Sequence, residues 1–199
     1  EEFIRTCQSF QVGQFREGVP FAQLEVTLRG MFPPSGKAAC VPPEAAGLSA
    51  DQWLDIQQGE FDLHGLGHWV TVAPDPEASD EQAARMPANH NQWATQFAVP
   101  VDLAGPGKWR CYLVVRCAAK VKTGNAFDLG LYDAGAGRNV ASLRVKLEQA
   151  GDNAYHTYDL GAHELKGGMY FWVAPLNNPD QVEAVYTDRI FLVREKAQP

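Results

Sequence analysis

The sequence predicts an antiparallel β-sandwich of the jelly-roll type with a short N-terminal helical extension. Three observations favour this fold class. Apolar and polar residues alternate with a period of two from Asp55 onward, short apolar runs are separated by Gly, Pro, Asn and Asp, and no long helical pattern interrupts these runs. Parallel neighbours would need crossover segments of about a dozen residues or more, so these strands are expected to pair antiparallel in two facing layers.

The N-terminal part of the chain has a different pattern. Within residues 1–31 the apolar residues recur every three to four positions, which predicts two short helices with stripes formed by Phe3, Ile4, Cys7 and Phe10 and by Phe21, Leu24, Leu28 and Met31. The stretch "FPPSGKAACVPPEAAGLS" follows, and its proline content is typical of a linker. We therefore predict a helical segment and linker from a preceding domain over 1–50, and the sandwich over 51–199.

The clearest strand is "KWRCYLVVRCAAKV". One apolar face is formed by Trp109, Cys111, Leu113, Val115 and Cys117, and Arg110, Tyr112 and Arg116 lie on the other, which predicts a half-buried strand. Further strands are predicted in order at "HWVTVA", "WATQFAVPV", "FDLGLYD", "NVASLRVKL", "YHTYDLG", "MYFWVAP" and "AVYTDRIFLV". The strand geometry separates Cys111 and Cys117 by about 20 Å, so they are predicted to be buried free thiols.

Charge and hydropathy exclude two classes of partner. The net charge is −7 and the isoelectric point is about 5.2, whereas nucleic-acid binders need clustered Lys and Arg, so no nucleic acid is expected. No window approaches the roughly 20 apolar residues of a membrane span. The chain opens with "EEFIRTCQSF", which has no signal-peptide pattern and indicates a piece of a longer protein.

One loop has the composition of a ligand-binding loop. In "MPANHNQWATQF", the side chains of Asn89, His90 and Asn91 can hydrogen-bond hydroxyl groups, and Trp93 follows them at once. An exposed aromatic ring can stack on the apolar face of a sugar ring. The same residues fit a buried tryptophan and an ordinary polar loop equally well.

A second candidate surface lies at the "MYFWVAP" strand. Tyr170 and Trp172 alternate with Met169, Phe171 and Val173, so one of the two sets faces away from the core. If Trp172 faces outward, the following loop "PLNNPD" would extend its surface with Asn177 and Asn178.

Catalytic patterns are sparse. There is no nucleophile elbow and no phosphate-binding Gly loop, and the acidic stretch "PDPEASDE" is typical of a solvated loop. A lyase site built on Tyr155 and His156 would need both side chains in one groove, but adjacent residues on a strand point to opposite faces. The sequence therefore favours a protein without catalytic activity of its own.

The stretch "DIQQGEFDLHGLGHWVTVAPDPEASDEQAARMP" resembles the opening of galactose-binding-like, calcium-containing carbohydrate-binding modules, and "VYTDRIFLV" resembles their last strand. Nearly the whole chain also resembles the C-terminal region of bacterial glycoside hydrolase-like proteins of unknown function. There a barrel domain and a helical stretch precede a jelly roll.

The resemblance implies a structural calcium ion. By this resemblance, the ligands of the ion would be Gln58, Glu60, Asp80 and Asp188, together with backbone carbonyls. In this chain "QQGEFD" replaces two acids of the family pattern with neutral residues. The alternative is that Asp188 accepts hydrogen bonds from backbone N–H groups or pairs with an arginine, Arg85 or Arg189.

The predicted function is a non-catalytic carbohydrate-binding module of a larger bacterial carbohydrate-active enzyme. Its partners would be a polysaccharide or oligosaccharide and the adjacent catalytic domain of the parent chain, and a secreted or periplasmic location would suit such a protein. The alternative is a structural jelly roll that packs on a catalytic barrel. A polysaccharide-degrading enzyme in its own right is a third hypothesis.

Overall fold

The structure, a computed structural model, describes residues 52–103 and 107–195. The predicted helices, the linker and the first residue of the predicted sandwich domain lie outside these ranges. Within them the chain forms eleven strands, a single helical turn α1 (Leu147–Ala150) and two short 3₁₀ segments (Gln58–Glu60 and Val101–Leu103). The strands are β1 (Trp53–Gln57), β2 (Asp62–Leu63), β3 (Thr71–Pro74), β4 (Gln82–Pro87), β5 (Thr95–Ala98), β6 (Trp109–Ala119), β7 (Asn125–Asp133), β8 (Arg138–Lys146), β9 (Tyr155–His163), β10 (Met169–Pro175) and β11 (Val182–Arg194).

Two antiparallel sheets form the predicted jelly-roll sandwich. The six-stranded sheet has the order β3-β4-β11-β6-β9, with β1 pairing along the same edge of β11 as β4. The five-stranded sheet has the order β2-β5-β10-β7-β8. The prediction of two facing antiparallel layers is confirmed. No helix in the described ranges has both the length and the apolar character that crossing a membrane requires.

The main core lies between the sheets and follows the period-two pattern of the strands. The predicted apolar face of β6 belongs to this core in full: Trp109, Cys111, Leu113, Val115 and Cys117. Residues of β10 and β7 face it from the other sheet: Met169, Phe171, Val173, Phe127, Leu129 and Leu131. On each of these strands every second side chain faces this core, as a sandwich requires.

The prediction that β6 is half-buried is wrong. Its other face is buried too, because Tyr112 and Val114 join Phe191 and Val193 in a second apolar cluster. Trp53 of β1 packs against this cluster, with its ring centroid 5.8 Å from that of Phe191. The central strands of the six-stranded sheet therefore have apolar side chains on both faces, which a simple alternation of apolar and polar residues does not show.

Strand β11 changes partner along one edge. Residues 184–187 pair with β4, and residues 189–193 pair with β1. On its other side the register with β6 shifts between Thr187 and Arg189, so that Asp188 is an extra, bulged residue. This bulge lies at the junction between the two partner strands, and it explains how a buried acidic residue is placed within the strand.

Candidate functional site

The outer face of the five-stranded sheet has a cluster of aromatic side chains at its centre. On β10 the core side is occupied by Met169, Phe171 and Val173, so Tyr170 and Trp172 face outward. Trp93, which precedes β5, lies against Trp172. We call Trp93, Tyr132, Tyr170 and Trp172 the aromatic cluster.

Trp172 forms the base of the cluster. It is paired in register with Gly130 of β7 and is only 4% exposed. A Cβ atom at Gly130 would lie 2.9 Å from two carbon atoms of the indole, so the absence of a side chain there lets the ring lie close over β7. The indole Nε1–H donates a hydrogen bond of 3.0 Å to Asn139 Oδ1. Packing over Gly130 and the hydrogen bond to Asn139 therefore fix the orientation of the Trp172 ring.

Trp93 forms the upper layer. Its ring is stacked on that of Trp172 with a centroid separation of 4.1 Å and an interplanar angle of 6°. Tyr132 and Tyr170 meet Trp93 edge-on at 5.4 and 6.3 Å, and their own centroids are 5.3 Å apart. One face of Trp93 is covered by Trp172 while the residue as a whole is half-buried. This arrangement produces a flat aromatic platform held rigidly on the sheet.

The loop before Trp93 is held by His90. The backbone N–H of Gln92 donates to His90 Nδ1 at 3.1 Å, so the ring carries its proton on Nε2, which donates to the Trp69 carbonyl at 2.8 Å. Burial lowers the pKa of His90 below 6.5 despite the hydrogen bond to Trp69, and the charge of His68 lowers it further. A neutral His90 thus positions the loop, and both ring nitrogens are already engaged.

The two predicted ligand-binding loops lie side by side. The backbone N–H of Asn177 donates to the His90 carbonyl at 2.9 Å, and Asn177 has a left-handed backbone with φ of 52°. The side chain of Asn178 is bonded within the fold, because its Nδ2 donates a hydrogen bond to the Asn125 carbonyl at 2.8 Å. Asn89, Asn91 and Asn177 are exposed. The two loops therefore present exposed, neutral amides that can form hydrogen bonds.

Two of the charged groups on this sheet face form an ion pair. Arg144 Nε and Nη2 donate to the two carboxylate oxygens of Asp128 at 2.8 and 2.7 Å, a bidentate pair. Gln96 donates its amide to the Trp93 carbonyl at 2.8 Å, and Asp62 accepts from the backbone N–H of Ala98 at 3.1 Å. This sheet face therefore carries the aromatic cluster, amide groups, the Asp128–Arg144 ion pair and the Asp62 carboxylate.

The four residues implied as calcium ligands lie near the bulge in β11. Gln58 donates its amide to Asp80 Oδ2 at 3.0 Å. Asp188 Oδ1 accepts from the backbone N–H and the hydroxyl of Ser79 at 3.0 and 2.7 Å. Glu60 is exposed, and its Oε2 accepts from the backbone N–H of Gln57 at 3.0 Å, within the 3₁₀ turn.

This donor set does not fit a calcium cage, which needs about six to eight oxygen ligands. Asp188 Oδ1 already accepts two hydrogen bonds, and Asp188 Oδ2 lies 3.7 Å from Arg189 Nε. Burial raises the pKa of Asp188, although the Ser79 hydrogen bonds and the charge of Arg189 oppose the shift. Within 52–103 and 107–195, no three His, Cys, Asp or Glu side chains form a group that could hold a metal ion.

The contacts of Asp188 match the alternative raised from the sequence. A backbone N–H group and Arg189 face its carboxylate. Arg85 lies elsewhere, with its Nε donating to the Tyr186 hydroxyl at 3.1 Å and its Nη2 at 3.5 Å from Glu183.

A second polar network involves Tyr155 but has no catalytic geometry. The Tyr155 hydroxyl donates to Asp75 Oδ2 at 2.7 Å, and the Arg116 guanidinium pairs with the same oxygen while lying 3.8 Å from the centre of the Tyr186 ring. Burial alone would raise the pKa of Asp75, but the hydrogen bonds from Tyr155 and Arg116 outweigh it and hold this pKa below 3.8. His156 instead contacts Asp152 at 2.8 Å. Asp75, Arg116 and Tyr155 connect the loop after β3 with β6 and β9, and they form no acid–base pair that faces a groove.

One residue of the aromatic cluster, Tyr132, has no signal in the sequence that marks it as a site residue. Gly130 and Asn139, which hold Trp172, gain their roles only from strand pairing. The isolated glycine within "FDLGLYD" is a usable signal, because a glycine inside a strand often marks the close approach of another group.

No protein-family model matches the chain, and no curated protein matches it. Solved structures do show a likeness. The CBM22-1 xylan-binding domain of Paenibacillus barcinonensis Xyn10C is 13% identical with a TM-score of 0.51, over 73% of this chain and 95% of that one.

Two further solved structures have lower TM-scores. The C-terminal CBM6 of LamC, a laminarinase from Zobellia galactanivorans, is 12% identical with a TM-score of 0.47, over 71% of this chain and 98% of that one. The Podospora anserina GH26-CBM35 β-(1,4)-mannanase is 12% identical with a TM-score of 0.48, over 75% of this chain and 29% of that longer one. At 13% identity, the likeness to the Paenibacillus domain establishes a shared fold, the jelly-roll sandwich.

Proposed function

We propose that this domain is a non-catalytic carbohydrate-binding module that binds a neutral glycan on the outer face of its five-stranded sheet. The observation that carries the proposal is the stack of Trp93 on Trp172, 4.1 Å apart and nearly parallel, on a sheet face rather than in the core. We propose further that the module serves a larger bacterial carbohydrate-active enzyme, in agreement with the sequence resemblance.

The two-layer stack suits a sugar ring physically. A pyranose ring has a face of C–H groups that packs on an aromatic plane, and a rim of hydroxyls that needs hydrogen-bonding partners. Trp172 holds Trp93 in place before any ligand arrives, so little side-chain entropy is lost on binding. The exposed amides of Asn89 and Asn91, in the loop that precedes Trp93, and of Asn177, in the loop bonded to it, supply neutral donors and acceptors.

The charges on the face favour a neutral ligand over an acidic one. Arg144 is engaged by both oxygens of Asp128, so its charge is already balanced. The chain as a whole is acidic, with a net charge of −7, which opposes the approach of a polyanion. Binding should therefore change little with ionic strength.

The fold comparison supports the proposal only through architecture. The Paenibacillus domain that shares this fold is described as xylan-binding. We accordingly place xylan first among the neutral polysaccharides to be assayed, followed by mannan and mixed-linkage β-glucan, with polygalacturonate as the acidic comparison.

Affinity electrophoresis and calorimetry against this panel test the proposal, with two variants. Trp93→Ala removes the platform, whereas Trp53→Ala removes a half-buried tryptophan from the opposite sheet and is the matched control. The proposal predicts that a neutral polysaccharide binds the natural chain and Trp53→Ala but not Trp93→Ala, with folding of both variants verified by circular dichroism. Binding that survives in Trp93→Ala, or no binding across the panel, would refute it.

A further inference from the structure

We propose that Arg189 supplies, from within the chain, the positive charge that the sequence resemblance assigns to a calcium ion, so that this domain folds without a divalent metal. The corner concerned is formed by Asp55, Ser79, Asp188 and Arg189. It lies where β11 passes from β4 to β1.

Arg189 lies between two carboxylates. Its side chain is fully buried, with Nη1 3.4 Å from Asp55 Oδ2 and Nε 3.7 Å from Asp188 Oδ2. Its Cζ atom lies 4.6 Å from the centre of the Phe191 ring. An arginine stays protonated even when buried, so this positive charge is permanent. A buried carboxylate is costly unless a positive charge compensates it, and Arg189 is the positive charge that lies within 4 Å of both aspartates.

Neutral donors occupy the oxygen atoms that a metal would need. The backbone N–H and hydroxyl groups of Ser79 both donate to Asp188 Oδ1. The same hydroxyl contacts Gln57 Oε1 at 2.8 Å, and the Gln58 amide donates to Asp80. Gln57 and Gln58 carry no charge, and the Gln58 amide presents an N–H donor to Asp80 instead of a ligand oxygen to a metal.

The bulge in β11 accounts for how one strand provides both charges. Asp188 is the extra residue between Thr187 and Arg189, so the usual alternation of faces is interrupted at this point. Asp188 therefore reaches the Ser79 loop while Arg189 lies over Phe191 on the outer side of the six-stranded sheet. The two groups remain close enough to pair.

Thermal unfolding of the full chain tests this inference. With excess CaCl2 or EDTA, the melting temperature of the natural chain should move by less than about 1 °C, whereas a resident calcium ion would move it by roughly 5 °C or more. A saturable rise with calcium, or a fall with EDTA, would overturn the inference even if no variant could be prepared.

A variant pair tests the charge itself. Arg189→Met should lower the melting temperature by about 10 °C, because it leaves buried carboxylates without compensation. Arg144→Met breaks an exposed pair and should cost less than about 4 °C. Equal losses in the two variants, or an unchanged melting temperature for Arg189→Met, would show that Arg189 is not the compensating charge.

Discussion

Substitution of Gly130 by alanine should destabilise the fold and disturb the tryptophan stack together. A Cβ atom at this position would lie 2.6 Å from the Ala141 carbonyl oxygen and 2.9 Å from two carbon atoms of Trp172. The carbonyl belongs to the neighbouring strand β8 and cannot swing away, so the backbone or the indole must shift. Overpacking of this kind costs about 1–3 kcal/mol, and alanine recovers up to about 1 kcal/mol by restricting the unfolded chain. We expect a net loss of about 1–2 kcal/mol.

For a domain of this size the loss corresponds to a fall of roughly 3–8 °C in the melting temperature. Calorimetry measures this fall, and the circular dichroism couplet from the parallel indoles of Trp93 and Trp172 measures the stack. Gly59→Ala is the matched control, because no atom lies within 4 Å of a Cβ atom built there, and its melting temperature should be unchanged. If Gly130→Ala kept both the melting temperature and the couplet, the close packing of Trp172 over β7 would be disproved.

Three further predictions concern the platform, the buried acid and the thiols. Trp93→Ala should raise the dissociation constant for a bound neutral glycan by about 30-fold or more in calorimetry, as expected for a central aromatic contact, and an unchanged constant would contradict its role. The pKa of Asp75 is lower in the folded chain than its usual value of 3.8. The ionised carboxylate therefore stabilises the fold fully above pH 3.8, and this stabilisation is lost as the pH falls through the pKa of the folded state. Urea midpoints measured against pH should show this acid loss, and Asp75→Asn should be less stable near neutral pH and show a smaller loss. Burial raises the pKa of Cys111 to about 12 and of Cys117 to about 11. In a variant whose other two cysteines are serine, neither thiol should therefore react with a thiol reagent until denaturant is added, and rapid labelling of the folded chain would contradict their burial.

The strands could be predicted from the sequence because their core-facing residues recur every second position. The apolar face of β6 agrees residue for residue with the core. The burial of β6 on both faces could not be predicted. Its second face is covered by Phe191 and Val193, which lie on a strand about eighty residues further along the chain. Alternation reveals a strand but does not show what covers its second face.

The candidate site was predicted only in its parts. The sequence indicates Trp93 and Trp172 separately, and the contact between them depends on how β5 pairs with β10. The roles of Gly130 and Asn139 depend in the same way on register. The bulge at Asp188 has no local signal, because it arises where β11 changes its partner from β4 to β1.

The central claim is that a neutral glycan binds on the ring of Trp93. A nuclear magnetic resonance titration that follows the indole N–H signals, first with xylohexaose and then with oligosaccharides of the other neutral glycans, tests it most directly. We predict that the signals of Trp93 and Trp172 shift along one saturable curve, while those of Trp53 and Trp109 stay in place. Saturable binding that moves Trp53 and leaves Trp93 unchanged would contradict the account.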